Sequence, residues 1–231
     1  HVYFSRPDSV VDGSSVYQVR KKIGAQLAIE SPVDADMVVP VPDSGTPAAI
    51  GYAQESGLPF ELGIIRSHYV GRTFIQPGDQ IRNLGVKLKH NANRAMIDGK
   101  RIVLIDDSIV RGTTSLKIVQ MLRDAGAAEV HMRIASPPTR HSCFYGVDTP
   151  ERSKLLAANM DVERMREYIK VDSLAFLSID GLYRALGEDL RLDDAPQYCD
   201  ACFTGDYPTR LTDFEEAEVP DQLSMLAERM I

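Results

Sequence analysis

GKRIVLIDDSIVRGTTSLKIVQML, residues 99–122, changes character along its length. It opens on an unbroken apolar run, the pattern of a strand covered on both faces rather than one. The run stops at two adjacent acids, Asp106 and Asp107. A loop with Ser108, Arg111 and Gly112 follows, then three hydroxyls, Thr113, Thr114 and Ser115. From there the apolar residues recur at helical spacing up to a Gly stop. The stretch reads as strand, loop, helix, and it sets the grammar for the rest of the chain.

Upstream, Ser14–Glu30 carries Val16, Val19, Ile23 and Leu27 at helical spacing, with Asp12 or Ser14 as its cap. Met37–Val41 is a short β-branched strand that breaks into VPDSGT, and TPAAIGYAQESG is the helix after it. PFELGIIR is the next strand. Periodicity then dissolves from Ser67 to Asn93, a length that marks a functional loop such as a lid or else a disordered one. Downstream, EVHMRIASPP is a strand and Pro150–Asn159 and Val162–Lys170 are helices. SLAFLS is a last strand and IDGLYRALG a last helix. An acidic, irregular tail with a final short helix ends the chain.

Strands alternating with helices predict an α/β fold, a mostly parallel central sheet flanked by helices on both faces. Residues 1–190 are expected to form this domain, with 191–231 as a cysteine-containing extension packed on it. At 231 residues and 44% hydrophobic, the chain is long enough for a substantial core. A net charge of −7 argues against a duplex nucleic-acid partner. No apolar run approaches the ~20 residues of a membrane span, and no signal peptide is visible. Three cysteines fit a reducing compartment, hence a cytoplasmic location, better than a disulfide scaffold. The chain opens at His1, without Met, and is read as part of something longer or as a processed chain.

In parallel sheets, ligands sit beyond the carboxyl ends of strands at the topological switch point. Two loops qualify, VPDSGT and DDSIVRGTTS. The second offers the N–H groups and dipole of a helix start, together with hydroxyl donors, as a phosphate cradle. It is not a Walker loop, since no G-x-x-x-x-G-K-[ST] is present. Two carboxylates at a strand end call for donors or a cation, which a vicinal diol and Mg²⁺ supply. Acids and cradle together suit a ribose 5-phosphate. Both acids are expected outside the packed core.

The segment VLIDDSIVRGTTS resembles the phosphoribosyl pyrophosphate (PRPP) motif of type I phosphoribosyltransferases. YFSRPDS, RSHYVGRTFIQPG, DDSIVRGTTS and CFYGVDTP, in that order, extend the resemblance over the whole chain to the amidophosphoribosyltransferase family. The resemblance implies the type I fold with a long flexible loop. It implies that ammonia, drawn from glutamine in the full enzyme, attacks C1 of PRPP. The products are 5-phosphoribosylamine and pyrophosphate, in the first step of purine synthesis. Asp106 and Asp107 would contact the ribose and, with Ser44, hold Mg²⁺. Residues from Asp107 through Ser108, Arg111, Gly112, Thr113 and Thr114 to Ser115 would bind the 5-phosphate, and Asp43, Ser44 and Gly45 would approach the pyrophosphate. Tyr69, Arg72 and Lys89 of the long loop would serve catalysis, the cations facing the leaving group.

Cys199 and Cys202 form a C-x-x-C, which alone is a weak zinc or redox signal. The resemblance implies a [4Fe–4S] cluster on Cys143, Cys199 and Cys202, with the fourth ligand just before HVYF. It also implies an upstream glutaminase domain, purine nucleotides as feedback inhibitors, and a homo-oligomer, dimer or tetramer. Without that domain the chain is expected to use ammonia but not glutamine. A nucleobase phosphoribosyltransferase shares the PRPP motif, but YVGRTF and CFYGVDTP favour the amidotransferase. A PRPP-sensing regulator calls for a DNA-binding helix pair and a basic patch, and neither is found.

Overall fold

The computed structural model describes residues 1–67 and 90–211. Tyr69, Arg72 and Lys89 lie outside these residues, as do most of the long loop and the final helix expected near the end of the chain.

Among the described residues the central sheet has four parallel strands, in the order β3 (Met37–Pro40), β6 (Arg101–Asp106), β7 (Glu129–Ile134), β8 (Ser173–Phe176). β6 lies between β3 and β7, pairing Ile105 with Pro40 and Asp106 with Ile134. Its continuous apolar run is explained by the two cores it divides. Ile102 and Leu104 face one core and Val103 and Ile105 the other, and all four are fully buried. Burying each such side chain contributes roughly 1.5–3 kcal/mol.

Helices α1 (Val16–Glu30), α2 (Thr46–Ser56) and α7 (Ile179–Leu186) cover the Val103 face. Helices α4 (Thr113–Asp124) and α6 (Val162–Ile169) cover the Ile102 face. Short helical turns complete the described chain: α3 (Arg94–Ile97), α5 (Leu156–Asn159) and α8 (Ala201–Thr204).

Three sequence readings need correction. The cap of α1 is Ser15, without a side-chain cap hydrogen bond, because Ser14 and Ser15 are committed to a small hairpin, β2 (Ser14–Ser15) on β1 (Val10–Val11). PFELGIIR is not one strand of the main sheet. Phe60 makes a single parallel bridge to Val38, and β4 (Ile64–Arg66) turns away to pair antiparallel with β5 (His90–Ala92). The helix expected over Pro150–Asn159 is a 3₁₀ turn, Arg152–Lys154, followed by α5.

The bridge at Phe60 sets the topology. It lies against β3, whereas the other central strands stack outward beyond β6. The chain thus leaves β3 toward one edge and returns on the other side of it. The switch point falls between β3 and β6, and their carboxyl ends carry the two loops singled out above.

Candidate functional site

The two loops are pressed together at the switch point. Val41 N donates to the carbonyl of Ile105 at 2.8 Å, and Gly45 N to the carbonyl of Val41 at 3.0 Å. A β-carbon built on Gly45 would stand 2.4 Å from the Ile105 carbonyl oxygen. Gly45 is therefore required for backbone packing of the 41–45 loop on β6, and its conformation is an ordinary right-handed one. Ser44 is half-buried beside it, and exposed Asp43 is paired with Arg66 of β4.

Asp106 is 7% exposed, so it lies inside the packed structure and not outside it as its strand-end position suggested. Its Oδ1 accepts the backbone N–H of Asp107 at 2.9 Å. The Asp107 carboxylate accepts from Ser108 Oγ at 3.1 Å, and Ser44 supplies a further side-chain hydrogen bond. Burial first, then repulsion by Asp107, raises the pKa of Asp106 well above the usual carboxylate range. Burial also raises that of Asp107, opposed by the Ser108 hydroxyl, the Arg20 charge and Ser44. The pair is short of positive charge, and this deficit fits a divalent cation or a diol donor there.

Arg20 was missed in the sequence. It is the basic residue on the buried face of α1, next to Val19 and one turn from Val16, and a charge inside an apolar stripe was the available signal. Its guanidinium donates to the carbonyls of His1 and Ser5, each at 2.8 Å. Its charge is felt at Asp107.

The loop after β6 is anchored by buried Ile109 and by Leu156 N donating to the Val110 carbonyl at 2.8 Å. Gly112 has φ +73°, and a β-carbon there would meet Leu156 Cδ2 at 2.6 Å. The turn therefore both needs the left-handed conformation and leaves no room for a side chain. α4 begins without a side-chain cap hydrogen bond, and Arg111, Thr113 and Thr114 at its start are exposed. Ser115, in the same first turn, is buried. The diacid, Ser44 and the α4 start thus stand around one crevice.

A pH dependence follows from the acid pair. Between the ordinary carboxylate pKa near ~4 and the raised folded values, the native state binds more protons than the unfolded one. This contribution to stability therefore falls as pH rises through that window and is largest at its acid end. Thermal melts of the ligand-free protein should show the slope. It should vanish in the Asp106→Asn, Asp107→Asn double variant, and an unchanged slope there would contradict the assignment.

The phosphoribosyl transferase domain family matches residues 11–142, which include both loops of this crevice. The chain belongs to that family. Its amidophosphoribosyltransferase relative in Rhizobium etli is 68% identical over 228 residues, 98% of this chain and 46% of that protein. Chloroplastic amidophosphoribosyltransferase 2 of Arabidopsis thaliana is 58% identical, covering 92% of this chain and 37% of its own length. Among solved structures, glutamine PRPP amidotransferase from Bacillus subtilis, complexed with ADP and GMP, matches with a TM-score of 0.81 and 54% identity. That match covers 90% of this chain and 46% of the other. The transferase chain thus spans less than half the length of these relatives. Its fold is the type I phosphoribosyltransferase fold, a parallel sheet with helices on both faces.

The cysteines of this phosphoribosyl transferase lie elsewhere. Cys143, Cys199 and Cys202 are unpaired and line one cavity of about 230 Å³ with residues 1–4. Among the described residues, no three His, Cys, Asp or Glu side chains are grouped to hold a single metal ion. Three thiols lining one cavity are the donor type that an iron–sulfur cluster takes, one short of the usual four. Burial pushes the Cys202 thiol up to about 11, so a metal must displace its proton on binding. The C-x-x-C turn is fixed from within by Asp200, which pairs with Arg191 at 2.7 Å and accepts from the Tyr183 hydroxyl at 2.8 Å. Arg140 N and His141 N both donate to the Cys202 carbonyl at 3.0 Å, which ties the loop after β7 to the same turn.

Proposed function

We propose that this chain is the phosphoribosyl-transferring part of an amidophosphoribosyltransferase, in which ammonia attacks C1 of PRPP to give 5-phosphoribosylamine and pyrophosphate. The observation that carries the reading is 68% identity to an enzyme of that name over 98% of the chain. Asp106 and Asp107 hold the ribose hydroxyls, and the start of α4 with Ser108, Arg111, Gly112, Thr113 and Thr114 takes the 5-phosphate. Buried Ser115, in the same turn, completes that phosphate site. Asp43, Ser44 and Gly45 approach the pyrophosphate, and Tyr69, Arg72 and Lys89 serve catalysis there. Ser44, Asp106 and Asp107 would hold Mg²⁺, whose chemistry there would be to neutralise charge on the pyrophosphate. Ammonia needs no strong base to attack, so positioning, electrostatic stabilisation and exclusion of water do the rest.

Around this core we place an upstream glutaminase domain as the ammonia source, a homo-oligomeric assembly and a cytoplasmic location. The unpaired cysteines favour that reducing compartment. Purine nucleotides act as feedback inhibitors, a reading supported by the ADP and GMP bound to the Bacillus subtilis relative. Residues 191–231 are an extension carrying the C-x-x-C. A [4Fe–4S] cluster on Cys143, Cys199 and Cys202, with a fourth ligand preceding His1, holds that extension to the domain. The experiment is PRPP-dependent pyrophosphate release with ammonium and, separately, glutamine as nitrogen source. Release with ammonium is expected from this chain without glutamine use. Silence with ammonium from the full-length protein would end the reading.

A further inference from the structure

Residues 1–4 form one wall of the cysteine cavity, and one of them reaches a sulfur. The Tyr3 hydroxyl donates to Cys202 Sγ at 2.9 Å, across 199 positions of sequence. The Tyr3 ring meets Phe203, the neighbour of Cys202, edge-on with centroids 6.4 Å apart. This donor is not left to the loop alone. The carbonyls of His1 and Ser5, two residues to either side, are both taken by the guanidinium of Arg20, itself 6% exposed. A buried bracket on a helix therefore fixes the backbone that presents the Tyr3 side chain.

Cys143 receives a different kind of contact, a local backbone N–H from Tyr145 at 3.4 Å. Cys202 is thus distinguished by a side-chain donor delivered from the far end of the chain.

We propose that Tyr3 is a positioning residue of the cysteine site, whose O–H on Cys202 raises the reduction potential of the cluster held there. The inference rests on the cluster reading above. The physical basis is charge. A coordinated cysteine is a thiolate, so the hydrogen bond becomes charge-assisted. Reduction adds one negative charge to the group, and the donor stabilises the reduced state more than the oxidised one. Hydrogen bonds to ligand sulfurs are among the means by which a protein sets such potentials.

The test is Tyr3→Phe in the full-length protein, purified without oxygen and titrated with dithionite while absorbance and electron paramagnetic resonance are recorded. Phe keeps the ring against Phe203 and removes the donor alone. Iron and sulfide content should match the parent. The reduction equilibrium should shift about fivefold toward the oxidised form, a fall of ~40 mV for one electron. Tyr207→Phe is the control. Tyr207 lines the same cavity but donates to the Ser142 carbonyl at 2.7 Å, and its loss should leave the potential in place. A fully loaded Tyr3→Phe protein with the parent's potential would overturn the inference and leave the cluster standing. Equal shifts in both variants would also overturn it. A parent protein without iron would overturn the cluster and the inference together.

Discussion

Asp106→Asn with Asp107→Asn reduces PRPP-dependent pyrophosphate release by on the order of 10³-fold or more, and the protein stays folded. The loss follows from the positions of the acids. They are the paired negative charges at the switch point, with Ser44, Ser108 and the Arg20 charge around them. Asn keeps the shape but neither attracts Mg²⁺ nor accepts from a diol with full charge. Removing even one group aimed at developing charge commonly costs 10²- to 10³-fold. Survival of the fold does not come from exposure, since Asp106 is buried. It comes from the sign of the electrostatics. Both carboxyls are held above their ordinary pKa, so their ionised forms oppose folding at neutral pH. Replacing them relieves desolvation and mutual repulsion, and the melting temperature of the ligand-free variant should equal or exceed the parent's. Normal turnover in the double variant would remove the central assignment.

Gly45→Ala is expected to cost about 3 kcal/mol of stability, at the upper end of the usual penalty for overpacking. The added carbon would lie 2.4 Å from the Ile105 carbonyl oxygen and 3.0 Å from that of Val41. Both obstacles are backbone, and neither can rotate aside as a side chain would. The 41–45 loop must lift away from β6, which also separates Ser44 from Asp107. Denaturant unfolding should show the loss, and the KM for PRPP should rise with it. A variant as stable as the parent would mean that the two loops are not held at this distance.

The fold was most legible where local pattern and tertiary setting agree. The run from Arg101 through Asp124 reads correctly because an all-apolar strand, a Gly turn and an amphipathic helix each carry their own period. PFELGIIR misled because its apolar content says strand without saying which sheet. The partners of Phe60 and Ile64, Val38 and Ala92, are far away in sequence. The α3 turn, just after the aperiodic stretch, went unread because four residues are too short to show a period. At the site, the acids and hydroxyls were visible as residue types. Their electrostatic strain was not, because it depends on burial. Gly45 was read as part of a loop approaching a pyrophosphate, and its own close approach to Ile105 is a tertiary fact that no spacing encodes.

The Arg20 bracket bears on where this domain can be cut. The family match begins at residue 11, and a protein engineer trimming to it would discard His1–Ser5. Those residues supply the two carbonyls that accept from the guanidinium. Without them, the guanidinium opens to water, and its charge at Asp107 is screened. A minimal transferase module transplanted into another protein therefore has to include His1–Ser5 for Asp106 and Asp107 to keep their native charge balance.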